Sequence, residues 1–486
     1  MGGIRMDIAK DARNSLFVDG KWLAPDGGDT VDVVNPATGE TIAELGYGGA
    51  AEAVHAVDVA ARAFRWWRRT TARERAVLLL QTASHLRERA GWIGRVLAME
   101  SGKRLAEAIA EVRFAAEYFR RFAEEIRRPH GVMMPGEATN KRHWTLAQPA
   151  GVALVLTPWN FPVSIQARKL APALAAGCTV VARASQKAPL SVIELFRCLQ
   201  AAGFPAGVVN LVQGPAAETT KAMMQQEGVR VVSFTGSTPV GQTLVGWSAG
   251  QLQRMALELG GNAPFIVFED ADIERAVEGA MVAKFRNNGQ SCIAANRFYV
   301  HDAVYEQFVE RFVARVSAMK LSDPVEDPDC DLGPVIDAEA RARLKNLASD
   351  AIALGARRLV PERAVPASGY FLSPILLEDV TAETGFACEE LFGPAAPIFR
   401  FREEEEVIAC ANSTDMGLAA YVYTESHARA TRVTEALEYG IVALNHALPS
   451  VAFAPMGGWK RSGLGREGAR VGLEEFQEIK YISAEI

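Results

Sequence analysis

Three side chains in this 486-residue sequence have the types needed for covalent catalysis: a thiol at Cys292, a carboxylate at Glu258 and an amide at Asn160. Cys292 closes the run Asn288-Gly289-Gln290-Ser291-Cys292, a thiol after a glycine turn and outside any apolar stretch. Backbone N–H groups in such a turn are expected to lower the thiol pKa and to bind an anion. A buried, inert cysteine is the other reading. Glu258 opens Glu258-Leu259-Gly260-Gly261-Asn262 at a strand end, where two glycines leave a carboxylate open to water and substrate; a turn with a helix-capping acid fits as well. Asn160, within Pro158-Trp159-Asn160-Phe161-Pro162, follows a strand and can donate to an oxyanion or cap the next helix. Gly236-Ser237-Thr238-Pro239-Val240-Gly241-Gln242-Thr243 misses a phosphate-binding P-loop by one residue, since Gln242 replaces the lysine. It also lacks GxGxxG spacing. A helix N-terminus with Gly and Ser can still hold a pyrophosphate through backbone N–H groups; a plain strand-to-helix turn is the alternative.

The elements that must position these groups follow from periodicity. Residues 151–156, 178–183, 208–212 and 230–234 read as buried strands, and 163–176, 190–202 and 216–226 as helices between them. That alternation predicts a doubly wound parallel sheet with ligands outside the strand C-terminal ends. A second α/β stretch begins near Met255, with strands at 263–268 and 297–301 and helices at 272–285 and 303–319. Residues 50–125 are helical in pattern. Asp19-Gly20 signals a hairpin and Asn35–Gly39 a turn. Pro129, Gly131, Pro135 and Gly136 break the helical pattern, and paired strands outside the main core fit residues 127–147. Residues 478–484 read as a strand able to pair with another subunit.

Composition is that of a globular protein, with 49% hydrophobic and 23% charged residues and a net charge of −6. No basic surface points to nucleic acid. The N-terminus has no apolar core of signal-peptide length, Met6 breaks the myristoylation pattern, and no apolar run is long enough to span a bilayer. A cytoplasmic location is the expectation. The six cysteines lack a CxxC pair and read as free thiols. The seven histidines show no HExxH or i, i+4 ligand spacing, so no metal is expected.

Six segments in this order resemble the aldehyde dehydrogenase superfamily over essentially the whole chain: TPWNFP at 157–162, FTGSTPVG at 234–241, LELGGNAP at 257–264, GQSC at 289–292, EELFGP at 389–394 and GLGREG at 463–468. The resemblance implies an α/β fold of two doubly wound domains with a small β oligomerisation extension. Residues 1–126 and 148–256 would form the dinucleotide-binding domain, 257–460 the catalytic domain, and 127–147 with 470–486 the oligomerisation strands of a homo-dimer or homo-tetramer. It implies that Cys292 attacks an aldehyde, Asn160 and the Cys292 N–H hold the oxyanion, and Glu258 activates water against the resulting thioester. Trp159 and Arg183-Ala184-Ser185-Gln186 would line the adenosine half of the cofactor. Gly236 and Ser237 would sit at the pyrophosphate, with Leu259, Glu390 and Phe392 nearer the nicotinamide. Family members commonly carry a glutamate where this chain has Gln186, and that acid would repel a 2′-phosphate. Neutral Gln186, with Arg183 and Lys187 nearby, removes the repulsion, so NADP as well as NAD is expected.

Several stretches, among them AKFRNNGQSC, are most similar to succinate-semialdehyde dehydrogenases. That resemblance implies a clamp of Arg168, Arg286 and Ser450 for the anionic end of a small aldehyde. An arginine facing an apolar tunnel is costly unless an anion pairs with it; structural ion pairs outside the tunnel are the competing reading. His446 and Phe453 depart from the subfamily; they could have a plain packing role, or could reshape the pocket floor, which would suit glutarate semialdehyde, 2,5-dioxovalerate or sulfolactaldehyde. Ala294 replaces the second cysteine of relatives with a redox-switch disulfide, so no such local switch is expected. A cysteine-dependent hydrolase, a CoA-acylating variant and a non-enzymatic structural protein are the competing functions.

Overall fold

The structure, a computed structural model, describes residues 12–128, 130–382 and 384–486. The N-terminal targeting readings and the break at Pro129 fall outside the described residues. Among these residues no helix is long and apolar enough to cross a membrane.

The chain builds two large sheets. In the first, β1 (Val152–Leu156), β2 (Thr179–Arg183), β3 (Val209–Val212), β4 (Val229–Thr235) and β5 (Arg254–Glu258) run parallel in the order β3-β2-β1-β4-β5. The chain winds outward from β1 to β3 and then returns to β4 on the other side of β1. A crevice therefore opens between the C-terminal ends of β1 and β4, the switch point where such sheets take ligands. The hairpin Leu16–Val18/Lys21–Leu23 adds an antiparallel edge, turning through Asp19 and Gly20, both at positive φ. Gly463–Leu464 pairs antiparallel with β5 at the other edge.

In the second sheet, β6 (Ala263–Val267), β7 (Ala295–His301), β8 (Ile375–Glu378), β9 (Ala395–Phe401), β10 (Ala419–Tyr423) and β11 (Ile441–Leu444) run parallel in the order β8-β9-β7-β6-β10-β11. Every residue of β1 and of β6 is buried, because helices cover both faces. Four helices, Ala50–Trp67, Ala72–Glu88, Ala90–Ser101 and Leu105–Glu125, fill the region read as helical.

A third, three-stranded sheet stands apart: Lys141–Pro149 pairs antiparallel with both Met133–Met134 and Gln477–Glu485. The C-terminal strand thus pairs within its own chain. Its outer residues Ile479 and Tyr481 stay exposed.

Two buried glutamates seat the helices that follow β1 and β2. Glu111 accepts from the N–H groups of Val163 and Ser164, both at 3.1 Å, at the start of α1 (Pro162–Ala176). Glu100 does the same for Leu190 and Ser191 at α2 (Leu190–Ala201), at 2.7 and 2.9 Å. Each carboxylate satisfies helix-end donors that no side chain within the helix caps.

Candidate active site

Cys292, Glu258 and Asn160 come from three separate segments; Cys292 and Asn160 line one cavity, and Glu258 meets the Cys292 thiol beside it. Glu258 is the last residue of β5 and fully buried. The Cys292 thiol donates to Glu258 Oε1 at 2.9 Å. Glu258 Oε2 accepts from Arg168 Nη2 at 2.6 Å and from Thr235 Oγ1 at 3.1 Å. Glu258 thus caps no helix. Nor does Asn160, since Glu111 holds the start of α1. Asn160 Nδ2 donates to the Gln290 carbonyl at 3.2 Å, which leaves its second proton for a ligand, and its Oδ1 is buried without a partner among the described residues.

The cysteine is held by a braced turn. Asn287, Asn288 and Gly289 all have positive φ, a run that few residue types adopt. Asn288 spends its amide on the Gly102 and Pro334 carbonyls and the Gly333 N–H. Asn287 reaches the Asn160 and Gln290 carbonyls, both at 2.9 Å. At Gly289 a Cβ would fall 2.2 Å from the Gly393 carbonyl. Buried Lys103, paired with Glu111, donates to the Asn160 carbonyl at 2.8 Å. Lys103, Glu111, Asn287 and Asn288 escape a reading by motif. The adjacent asparagines before a glycine were their one visible signal.

One expectation is overturned here. The turn was expected to lower the Cys292 pKa, yet burial pushes the thiol well above its ordinary value, the Glu258 carboxylate adds to this, and Arg168 only partly opposes it. The Glu258 carboxylate, 2.9 Å from the sulfur, is placed to accept the thiol proton.

The same cavity, about 230 Å³, is lined by Trp159, Gly236, Ser237, Leu259, Glu390 and Phe392 beside Cys292 and Asn160. The Phe392 ring meets the Trp159 ring edge-on at 5.5 Å. Glu390 accepts from the Gly261 N–H at 3.2 Å, and burial pushes its carboxyl up to about 7. Ser237 precedes α3 (Thr238–Ser248), but its side chain makes no cap, so first-turn N–H groups remain open to an anion. A Cβ at Gly236 would lie 2.3 Å from the Phe234 ring, and one at Gly260 2.8 Å from the Glu390 carboxylate, so both glycines keep the walls close. These residues fit a dinucleotide laid across the β1/β4 crevice. At the end of β2, Arg183 donates to the Gly214 carbonyl and Gln186 accepts from Tyr47 at 2.7 Å. Ala184 is buried, Ser185 accepts from the Lys187 N–H, and Lys187 is committed to Asp337.

Of the three residues of the expected anion clamp, Arg168 and Ser450 both reach the Met456 sulfur, and Arg286 and Ser450 line one cavity. That cavity, of about 540 Å³, is also lined by Arg104, Phe114, Phe285 and Arg315. Arg286 lies over the Phe161 ring at 5.2 Å and meets no carboxylate among the described residues. Arg168 instead sits behind, only 5% exposed, ion-paired with Glu258 and with Glu467 at 2.5 Å. Burial alone would depress its pKa, but Glu467 and Glu258 together hold it above the ordinary arginine value. A guanidinium this buried needs its carboxylates whether or not substrate is bound. His446 and Phe453 are exposed and outside this cavity, so neither forms its floor.

The chain matches the model of the aldehyde dehydrogenase family over residues 22–482 and belongs to that family. It is 46% identical to a 3-sulfolactaldehyde dehydrogenase of Pseudomonas putida over 97% of this chain and 96% of that one. It is 44% identical to the NADP(+) succinate-semialdehyde dehydrogenase of Escherichia coli, covering 97% of each. Among solved structures, an E. coli NADP-dependent enzyme superposes with a TM-score of 0.96 at 43% identity, covering 98% of this chain and 99% of that one.

Proposed function

We propose that this chain oxidises a small anionic aldehyde to its carboxylic acid with NADP or NAD, succinate semialdehyde being the first candidate. Glutarate semialdehyde, 2,5-dioxovalerate and sulfolactaldehyde are the alternatives. The observation that carries the reading is the 2.9 Å contact of Glu258 with Cys292, whose cavity also takes in the open N-terminus of α3.

Cys292 Sγ attacks the carbonyl carbon as its proton passes to Glu258 Oε1. The oxyanion of the hemithioacetal takes hydrogen bonds from Asn160 Nδ2 and the Cys292 N–H. A bound nicotinamide dinucleotide supplies the hydride acceptor. Loss of hydride leaves a thioester on Cys292. Glu258, its thiol proton released to solvent, then takes a proton from the water that attacks this thioester. Arg286 and Ser450 receive the distal anion, and Arg168 lies behind them with its charge already shared by two carboxylates.

The substrate names of the two relatives, one a sulfonated and one a carboxylated aldehyde, support an anionic substrate. Steady-state turnover of carboxylated, sulfonated and neutral aldehydes of equal length, run with both dinucleotides, tests this. Anionic aldehydes should lead by about tenfold or more, the scale of one charge-assisted contact. Equal kcat/KM for neutral ones would refute it, and NADP efficiency below NAD by about a hundredfold would refute NADP use. The strand sheet at 133–134, 141–149 and 477–485 bears exposed Met133, Ile479 and Tyr481, which supports its use as the contact of a homo-dimer or homo-tetramer. Light scattering reads that directly, and a monomer at micromolar concentration would oppose it.

A further inference from the structure

Tyr47 lies just beyond the Thr41–Gly46 strand and has no part in the site as read so far. Its O–H donates to Gln186 Oε1 at 2.7 Å. Arg183 is anchored through Nε and Nη2 to the Gly214 carbonyl, at 3.3 and 2.9 Å. Gln186 Nε2 has no partner among the described residues. Lys187, the other cation of this segment, is occupied by Asp337.

The phenol has one proton, and it goes to Gln186 Oε1. An amide that receives a proton must present its carbonyl, which turns its NH₂ group, a pure donor, the opposite way. Two N–H bonds beside an arginine suit a phosphate dianion. An amide free to flip would present its carbonyl to a ribose hydroxyl just as readily.

We propose that Tyr47 is a specificity-determining residue for the 2′ position of the cofactor's adenosine ribose, acting as a positioning group that fixes the Gln186 amide with its donors toward a 2′-phosphate. This rests on the dinucleotide reading above. It assigns to a residue distant in sequence part of the preference that the Gln186 side chain alone would leave undecided.

Calorimetric titration of the purified full chain with adenosine 2′,5′-bisphosphate and with adenosine 5′-monophosphate tests it without turnover. In Tyr47→Phe the bisphosphate Kd should rise about 3- to 10-fold, the scale of one net hydrogen bond. The monophosphate Kd should stay within about twofold, which also reports a folded site. In a Gln186→Leu background, where no amide remains to orient, Tyr47→Phe should leave the ratio of the two constants unchanged. An unchanged ratio in the single variant, or an equal loss in the Gln186→Leu background, would overturn the proposal. If the unsubstituted chain binds neither adenylate, both the proposal and the dinucleotide reading fall.

Discussion

Replacing Arg168 with methionine should slow the turnover of every aldehyde, neutral as well as anionic. Arg168 Nη2 meets Glu258 Oε2 at 2.6 Å, with the two side chains 5% and 1% exposed. It is the one cation in direct contact with that carboxylate among the described residues. Methionine keeps most of the volume and removes the charge. A hydrogen bond to a charged group contributes about 1.5–3 kcal/mol, so losing it should cost about 10- to 150-fold in kcat if Glu258 acts as the base. Breaking a buried pair costs about 3–5 kcal/mol of stability. The low end applies, because Glu467 keeps Lys169. Arg168→Lys, which retains charge but not the forked geometry, should fall between. The comparison that isolates the effect is Arg286→Ala, which should cost about 10- to 150-fold in kcat/KM for anionic aldehydes only. The assay is steady-state reduction of NADP with succinate semialdehyde and with butanal, beside a melting curve for each variant. If Arg168→Met slowed the anionic substrate alone and left butanal turnover intact, Arg168 would be a clamp residue and nothing more.

Further outcomes follow from the same contacts. Asn160→Ala should lower kcat about 10²- to 10³-fold with little change in dinucleotide affinity, since its amide acts on charge that develops only during reaction; a matching rise in the dinucleotide Kd would assign it to binding instead. Lys284 is fully buried, with Asn296 Oδ1 at 3.1 Å as its hydrogen-bond partner, and burial depresses its pKa to about 7 while Glu390 opposes the shift. The unfolded lysine keeps its proton to about 10.4. Between pH 7 and 10 the unfolded chain therefore binds more protons at this site, and stability from this group rises with pH. Lys284→Met should remove that rise, so its melting temperature should gain most on the unsubstituted chain near pH 7 and least near pH 10. An equal difference at both pH values would contradict the assignment.

The strands were legible because their sequences need burial on both faces. Residues 151–156 read as an apolar run, and β1 occupies all but the first of them. Helix ends were legible to within a residue or two, as at α1, where Pro162 starts and Gly177 stops the helix in a left-handed conformation. The contacts between segments were not. Cys292 and Glu258 meet only because the C-terminal end of β5 and the turn before β7 face each other across the two sheets. The partner of Arg168 could not be read either. Glu467 lies far along the chain, and its carboxylate reaches α1 through the packing of the C-terminal segment. The resemblance put Arg168 in a substrate clamp, with a structural ion pair as the competing reading; the fold gives it two carboxylates, Glu258 and Glu467. The thiol pKa went astray because the glycine turn was visible, while the burial of the thiol and the carboxylate beside it came only with the fold.

The central claim is that a sulfur atom holds the carbonyl carbon while the hydride leaves and that Glu258 frees the acid afterwards. Intact-protein mass spectrometry of Glu258→Gln, quenched within the first turnover with succinate semialdehyde and NADP, addresses both parts. The account predicts one acyl group on Cys292 and one equivalent of reduced dinucleotide per site, followed by slow release. Reduction of the dinucleotide with no acyl group on Cys292, or at full speed in Cys292→Ala, would contradict it.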